Sequence, residues 1–211
     1  MSGAVDRQVL HRVLAERYGE ETAERLENST AAVCGLGGLG SNIAIDLARG
    51  GVGKLILIDF DRVDVSNLHR QQYKAAQVGM MKTEAMAENI REIMPYTEIV
   101  TYNAKLTEEN ICKYVAQADV VCEAFDNAES KAMLINTLCE RLPEKYITAS
   151  SGMAGFGSGN DIKTRRITER FYLCGDGKSD VSTEKTLVSA RVSLCAAHEA
   201  LTALKILAGK I

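Results

Sequence analysis

The sequence predicts an α/β fold: a Rossmann-like, doubly wound, mainly parallel sheet with an antiparallel strand late in the chain. Three observations carry this. Apolar runs and helix-period segments alternate through the first 150 residues, the pattern of right-handed βαβ units. The apolar runs are continuous rather than alternating, as in "KLILIDF", which fits strands covered on both faces. A glycine-rich stretch, "GLGGLG" at 35–40, stands where the first strand hands over to a helix.

The elements follow in order. Val9, Leu10, Val13, Leu14 and Tyr18 recur at three- and four-residue spacing and make 5–28 helical, with Gly19 starting a second short helix at about 20–27. "AAVC" (31–34) is a buried strand, 41–50 a helix closed by a glycine, and 54–60 the second strand. Residues 82–94 form a helix that stops before Pro95. A strand is expected at 97–106, a helix at 107–117 with Thr107 as N-cap, a strand at 118–125 and a helix at 127–142. "KYITASSGMAGFGSG" opens as a strand and dissolves into a glycine-rich loop. Residues 164–173 read as the antiparallel strand, 174–187 as a polar loop and 189–209 as a closing helix. No linker or repeat divides the chain, so 1–211 is expected to be a single domain: a helical segment at 5–28, a core at 30–150 and a distinct part at 150–211.

Composition narrows the function. The 211 residues are 46% apolar and 25% charged, ordinary for a globular protein. A net charge of −3 argues against a basic nucleic-acid surface, and the 5% aromatic content without Trp argues against base stacking. No apolar run approaches membrane-spanning length. The six cysteines form no C-x-x-C pair, and 1–12 is too polar for a leader, so buried reduced thiols in the cytoplasm are expected, Cys34, Cys122 and Cys139 among them.

Gly35, Gly37 and Gly40 match G-x-G-x-x-G, with Gly38 as a fourth glycine. Such a loop brings backbone N–H groups to a phosphate at a helix N-terminus. Asp59, at the end of the second strand, is placed to accept hydrogen bonds from ribose hydroxyls. These residues predict nucleotide binding without naming the nucleotide.

The segment after the second strand goes further. "DFDRVDVSNLHRQQY" is followed by "VGMMKTEA", and "EAFDNAESK" comes later. With "GLGGLGS" before them, these runs resemble the ThiF/MoeB-type adenylyltransferases of the ubiquitin-activating superfamily, over about residues 5–209. The short thiamine-pathway ThiF members, family 2, are the most similar branch. The resemblance implies an enzyme that uses ATP and Mg²⁺ to adenylate the C-terminal Gly-Gly carboxylate of a ubiquitin-like sulfur carrier, working as a homodimer. It implies that Gly35, Gly37, Gly38, Gly40, Asp59, Ser66, Asn67, Gln71 and Asn127 bind the nucleotide. Arg70 and Lys82 would neutralise phosphate charge, and Asp126 would hold the magnesium. Asp126 is also placed to cap the helix that follows, and Asp61, Asp64 and His69 read as surface or loop residues. Lys82 opposes the dipole of the helix it opens, a cost that a bound phosphate would offset.

The resemblance has gaps. The two zinc-binding C-x-x-C pairs of many members are absent, and no zinc is predicted; Cys174, Asp176, Cys195 and His198 are the remaining donors. Cys174 is the one candidate for a covalent link to the carrier. Arg7, Arg12 and Arg17 are alternative sources of the arginine that members insert into a partner's ATP site. Residues 150–160 would receive the carrier's tail, and 174–187 would be a mobile crossover loop lying over it. A tRNA-modifying dehydratase and a molybdopterin-pathway adenylyltransferase are the alternative activities within the superfamily. A nicotinamide oxidoreductase or a non-catalytic partner would not need Arg70, Lys82 and Asp126 together.

Overall fold

The computed structural model describes residues 6–211; Val5, the first residue of the expected helical segment, lies outside them. Two helices, α1 (Arg7–Tyr18) and α2 (Glu20–Glu27), precede strand β1 (Thr30–Cys34). There follow α3 (Gly38–Arg49), β2 (Lys54–Asp59), α4 (Lys82–Ile93), β3 (Glu98–Asn103), α5 (Ile111–Val115), β4 (Val120–Glu123) and α6 (Ala128–Arg141). The chain ends with β5 (Tyr146–Ser150), β6 (Lys163–Arg166), β7 (Phe171–Gly175), α7 (Val181–Glu184) and α8 (Ser189–Leu207).

The strands form one sheet in the order β3-β2-β1-β4-β5-β7-β6, parallel except for the β6–β7 pair. Residues alternate between two cores. Ala31, Val33, Leu55 and Leu57 face α3, α4 and α8, against Ile43, Leu47, Met86, Ile90 and Ala196. Ala32, Cys34, Ile56 and Ile58 face α5 and α6, against Ile111, Val115, Leu134 and Leu138. Both faces of β1 and β2 are therefore dry, which is why their sequences read as unbroken apolar runs.

Several expectations are corrected. The strand expected at 164–173 is a hairpin: β7 pairs parallel with β5, and only β6 runs antiparallel, on the sheet edge. Residues 167–170 turn the chain, with the Ile167 N–H bonded back to the Phe171 carbonyl at 2.8 Å. Thr107 does not cap a helix. The Asn110 side chain accepts from the Thr107 N–H at 2.8 Å and donates to the Lys105 carbonyl at 3.0 Å, so that turn comes first and α5 begins at Ile111. The loop at 174–187 contains α7, capped by Asp180, whose carboxylate accepts from the Ser182 N–H. Cys139 is exposed and Cys112 half-buried; Cys34, Cys122, Cys174 and Cys195 are buried, and all six are free thiols.

Candidate functional site

The sheet order reverses between β1 and β4, the point where a doubly wound sheet opens a crevice beyond its strand ends. Gly35 stands in that crevice with φ +92°, and a Cβ there would lie 2.8 Å from the Ala124 carbonyl oxygen. Gly40 is tighter: a Cβ would lie 1.8 Å from the Gly35 carbonyl oxygen, so only glycine lets α3 pack this closely on the turn. The space beside Gly38 is taken by Val192 and the aliphatic stem of Arg70. The open face lies at Gly37, where the nearest group to a Cβ is the Gln71 amide nitrogen at 4.0 Å. Gly37 is also the N-cap of α3 and offers no side-chain bond, leaving the first N–H groups of the helix for an anion.

Asp59 is buried under this loop. Its carboxylate accepts from the Leu36 N–H at 2.6 Å and the Asp61 N–H at 2.7 Å, while the Tyr73 hydroxyl donates to the Leu36 carbonyl at 2.8 Å. Asp59 thus ties the end of β2 to the glycine loop. Asp61 is more than a loop residue: its carboxylate accepts from the Lys82 ammonium at 2.8 Å, and Lys82 is 7% exposed at the side chain. That pair supplies the counter-charge for a cation in the first turn of α4. Residues 61–63 pair with 79–82 to hold it there, through the Val63–Met80 and Lys82–Asp61 backbone bonds.

The Ser66–Gln71 segment arches over the loop. Asp64 accepts from the Ser66 N–H and hydroxyl, so the Ser66 side chain shapes the turn. The Asn67 carbonyl accepts from the Arg70 and Gln71 N–H groups, and its own amide is half-buried with one weak bond to Ser66 at 3.3 Å. His69 bonds the Ser66 carbonyl through Nδ1. Arg70 is half-buried, with no carboxylate within ion-pair distance among the described residues; its guanidinium makes only long contacts to the Ser66 carbonyl and His69. Gln71 is buried, and its Oε1 has no partner among the described residues. A free guanidinium and an orphaned amide oxygen thus stand beside an uncapped helix N-terminus.

Across the crevice, β4 ends at Glu123, fully buried and paired with Lys131 at 2.9 Å, and Asp126 follows on the rim. Asp126 is exposed and receives only the Asn127 amide at 3.3 Å. The capping role weighed for Asp126 belongs to Asn127, whose Oδ1 accepts from the Ser130 N–H at 2.8 Å. Among the described residues no three His, Cys, Asp or Glu side chains cluster as a metal cage. A lone exposed carboxylate suits a magnesium ion whose remaining ligands are substrate phosphates and water.

The other candidate donors are engaged elsewhere. Asp176 is bound by Arg191 at 2.6 Å and by two backbone N–H groups. His198 meets the Thr164 hydroxyl at 3.2 Å. Burial pushes the Cys174 thiol up to about 12, so it is neither a ready nucleophile nor a thiolate ligand. Arg7, Arg12 and Arg17 are all exposed on α1. That helix packs Leu14 onto Gly51, beyond the end of α3 opposite the glycine loop.

The ThiF family profile matches residues 10–211. The chain belongs to the ThiF family. This ThiF-family chain is 33% identical over 140 residues to the adenylyltransferase and sulfurtransferase MOCS3 of Caenorhabditis briggsae, covering 66% of the chain and 35% of that protein. It is 34% identical over 158 residues to ubiquitin-like modifier-activating enzyme 5 of Bombyx mori, covering 69% and 40% respectively. The chain thus spans about a third of the length of the curated relatives it matches. Its fold matches Escherichia coli tRNA N6-threonylcarbamoyladenosine dehydratase, TcdA, in complex with AMP, with TM-score 0.86, 24% identity and 99% of both chains covered. It also matches E. coli MccB with ATP, with TM-score 0.74, 18% identity, and 98% and 65% covered. These likenesses bear out the α/β reading and the ThiF-type resemblance. Two features of the site were missed by sequence reasoning: Asp61 as partner of Lys82, and Tyr73 as a prop of the glycine loop. The D-x-D spacing carried a signal for the first; nothing local carried one for the second.

Proposed function

We propose that this chain is an ATP-dependent adenylyltransferase for the C-terminal Gly-Gly carboxylate of a ubiquitin-like sulfur carrier, of the thiamine-pathway type. One observation carries the reading: Arg70, unpaired with any carboxylate among the described residues, lies with its stem over Gly38 beside the unpartnered Gln71 oxygen and the open end of α3. A hydride-transfer enzyme has no need of that cation. Residues 6–211 would act as one catalytic unit.

In this reading the phosphates lie on the N–H groups of α3, with the ribose at Asp59. A carrier carboxylate oxygen bonds to the α-phosphorus, the bond from that phosphorus to the bridging oxygen breaks, and pyrophosphate leaves with the electron pair. The guanidinium of Arg70 matches phosphate oxygens in a planar fork, and Asn67 and Gln71 add neutral donors. Lys82, held by Asp61, supplies fixed positive charge without reorganisation. Asp126 would hold a magnesium ion, which supplies charge neutralisation on the phosphates. Because α1 lies beside the far end of α3, about 18 Å of helix away from the glycine loop, an arginine from α1 would serve a partner's site rather than its own, consistent with a two-fold homodimer.

A second reading is favoured by one feature. Lys163, Arg165 and Arg166 lie exposed on the edge strand β6 and Arg170 follows in the turn, with no carboxylate in ion-pair distance among the described residues. Such an edge suits a polyanion, as the tRNA-modifying alternative would require, despite the net charge of −3. ATP–pyrophosphate exchange separates the readings. Exchange that depends on a carrier ending in Gly-Gly and is lost in Arg70→Ala supports the first; ATP turnover that depends on tRNA alone supports the second.

A further inference from the structure

The most heavily engaged charge pair lies outside the nucleotide crevice. Arg191, in the first turn of α8, is 6% exposed at its side chain and Asp176 is 7% exposed; Nη2 donates to Oδ2 at 2.6 Å. Burial pushes the Asp176 carboxyl up, but the N–H groups of Ser179 and Lys178, with Arg191, outweigh it and hold it well below the usual carboxylate range. The guanidinium also donates from Nη1 to the Ala154 carbonyl and, at 3.4 Å, to the Ser179 hydroxyl. Gly157 lies against it: a Cβ there would sit 2.9 Å from Nη2.

Two glycine-bearing segments are laid together over this pair. The Ser151 N–H donates to the Cys174 carbonyl at 2.7 Å, and the Asp176 N–H to the Gly152 carbonyl at 2.9 Å. The Ala154 N–H meets the Ser179 hydroxyl at 3.0 Å and the Gly155 N–H meets the Thr186 carbonyl at 3.0 Å. Gly152, Gly155 and Gly177 all have positive φ, so the path needs glycine at these turns. The same turn of α8 also reaches the nucleotide side: Val192 packs beside Gly38, and the Ser193 hydroxyl donates to the Asn42 side chain at 3.3 Å. One helical turn therefore joins the glycine loop to both segments. A buried ion pair adds little net stability over an apolar substitute, because desolvation offsets the attraction. Its worth here is geometric.

We propose that the Arg191–Asp176 clasp is a positioning device, fixing segments 151–157 and 175–179 as the walls along which the substrate's extended C-terminal tail reaches the nucleotide. Arg191 acts through the segments it holds and does not touch the reacting atoms. The inference rests on the adenylyltransferase reading. It goes beyond it in naming what shapes the tail's path.

The test uses the full chain and a purified ubiquitin-like sulfur carrier with its Gly-Gly end intact. Arg191→Gln, Arg191→Lys and the neutral pair Asp176→Asn/Arg191→Gln are compared with wild type in pyrophosphate exchange, reading KM for carrier and for ATP separately. Trypsin cleavage after Lys178 and Lys185 reports the state of the segment. Arg191→Gln is expected to raise the carrier KM about tenfold or more, to leave the ATP KM within about twofold, and to speed cleavage at both lysines. The neutral pair, which leaves no unpaired buried charge, is expected to recover part of the loss. An unchanged carrier KM, or equal rises in both KM values, overturns the proposal. If Arg191→Gln does not fold, Arg191→Lys and the neutral pair are read by the same criteria. Wild-type protein without carrier-dependent exchange sinks the activity reading and this proposal with it; wild-type exchange with unaltered variants sinks this proposal alone.

Discussion

The two sides of the crevice are built in different ways. The nucleotide side, from Gly35 to Lys82, is held by several separate polar contacts that all fall within that one stretch of chain: Leu36 and Asp61 on Asp59, Asp61 on Lys82, Asp64 on Ser66. The side formed by 151–187 is mostly exposed, and its two segments are gathered by one buried ion pair whose cation comes from outside them, on α8. A site that must bind one small molecule in one geometry can be frozen by many separate bonds. A wall for a protein tail can be left open and drawn together from one point. The difference teaches where damage should be global and where it should be selective.

The largest effect is expected on the frozen side. Gly40→Ala would drive a methyl group into the Gly35 carbonyl, at a cost on the order of 3 kcal/mol. It should lower the melting temperature and abolish ATP binding together. Gly79→Ala is the sharpening control: its φ of +91° is strained, but nothing lies within 4 Å, so a smaller loss of about 1 kcal/mol is expected with ATP binding retained.

Next in size is Arg70→Ala. Pyrophosphate exchange should fall by about 10²–10³-fold. Urea denaturation should show stability unchanged within about 0.5 kcal/mol, because no buried partner is left behind. A stability loss matching that of Gly40→Ala would break the distinction between binding groups and scaffold.

A smaller effect comes from beneath β5. Burial pushes the Glu199 carboxyl up to about 8, despite hydrogen bonds from Ser150 and Thr148. The folded state therefore holds a proton that the unfolded state releases above its ordinary carboxylate pKa. Its contribution is fully present below that pKa and is lost as pH rises toward and through 8. Urea midpoints should decline over this window, and Glu199→Gln should flatten the decline. An equally steep profile in the variant would show that other groups carry it, the buried Glu123 first among them.

The smallest effect is expected at the far end of the molecule. The His11 ring hydrogen-bonds Glu20 and lies within ion-pair distance of Glu27, and the two carboxylates hold its pKa above the ordinary imidazole value. Its contribution is present below pH 6.5 and lost as pH rises through the folded value. His11→Gln should remove a slight low-pH gain in melting temperature and leave exchange activity unaltered.

How far the sequence reveals this arrangement follows the same division. The cores of β1 and β2 are legible because both faces are dry and the runs are continuous; Asp59 and the glycine loop are legible because their partners lie within one βαβ unit. Arg70, Lys82 and Asp126 come from a motif. The hairpin at 163–175 reads as one strand because both arms are polar-flanked and the turn at 167–170 lacks Gly and Pro. The start of α5 is decided by the Asn110 side chain competing for Thr107 and Lys105, which helical periodicity does not register. Arg191 reads as one of several charges on the closing helix, since its partner belongs to the preceding loop. Long-range polar pairing leaves no period in a sequence.

The most direct test of the central claim is intact-mass analysis of a Gly-Gly-ending sulfur carrier after a single turnover with this chain, ATP and magnesium. The account predicts a carrier heavier by one adenylyl group, formed by wild type and at least about a hundredfold slower to form with Arg70→Ala. An unmodified carrier, with ATP demonstrably bound to the enzyme, would contradict it.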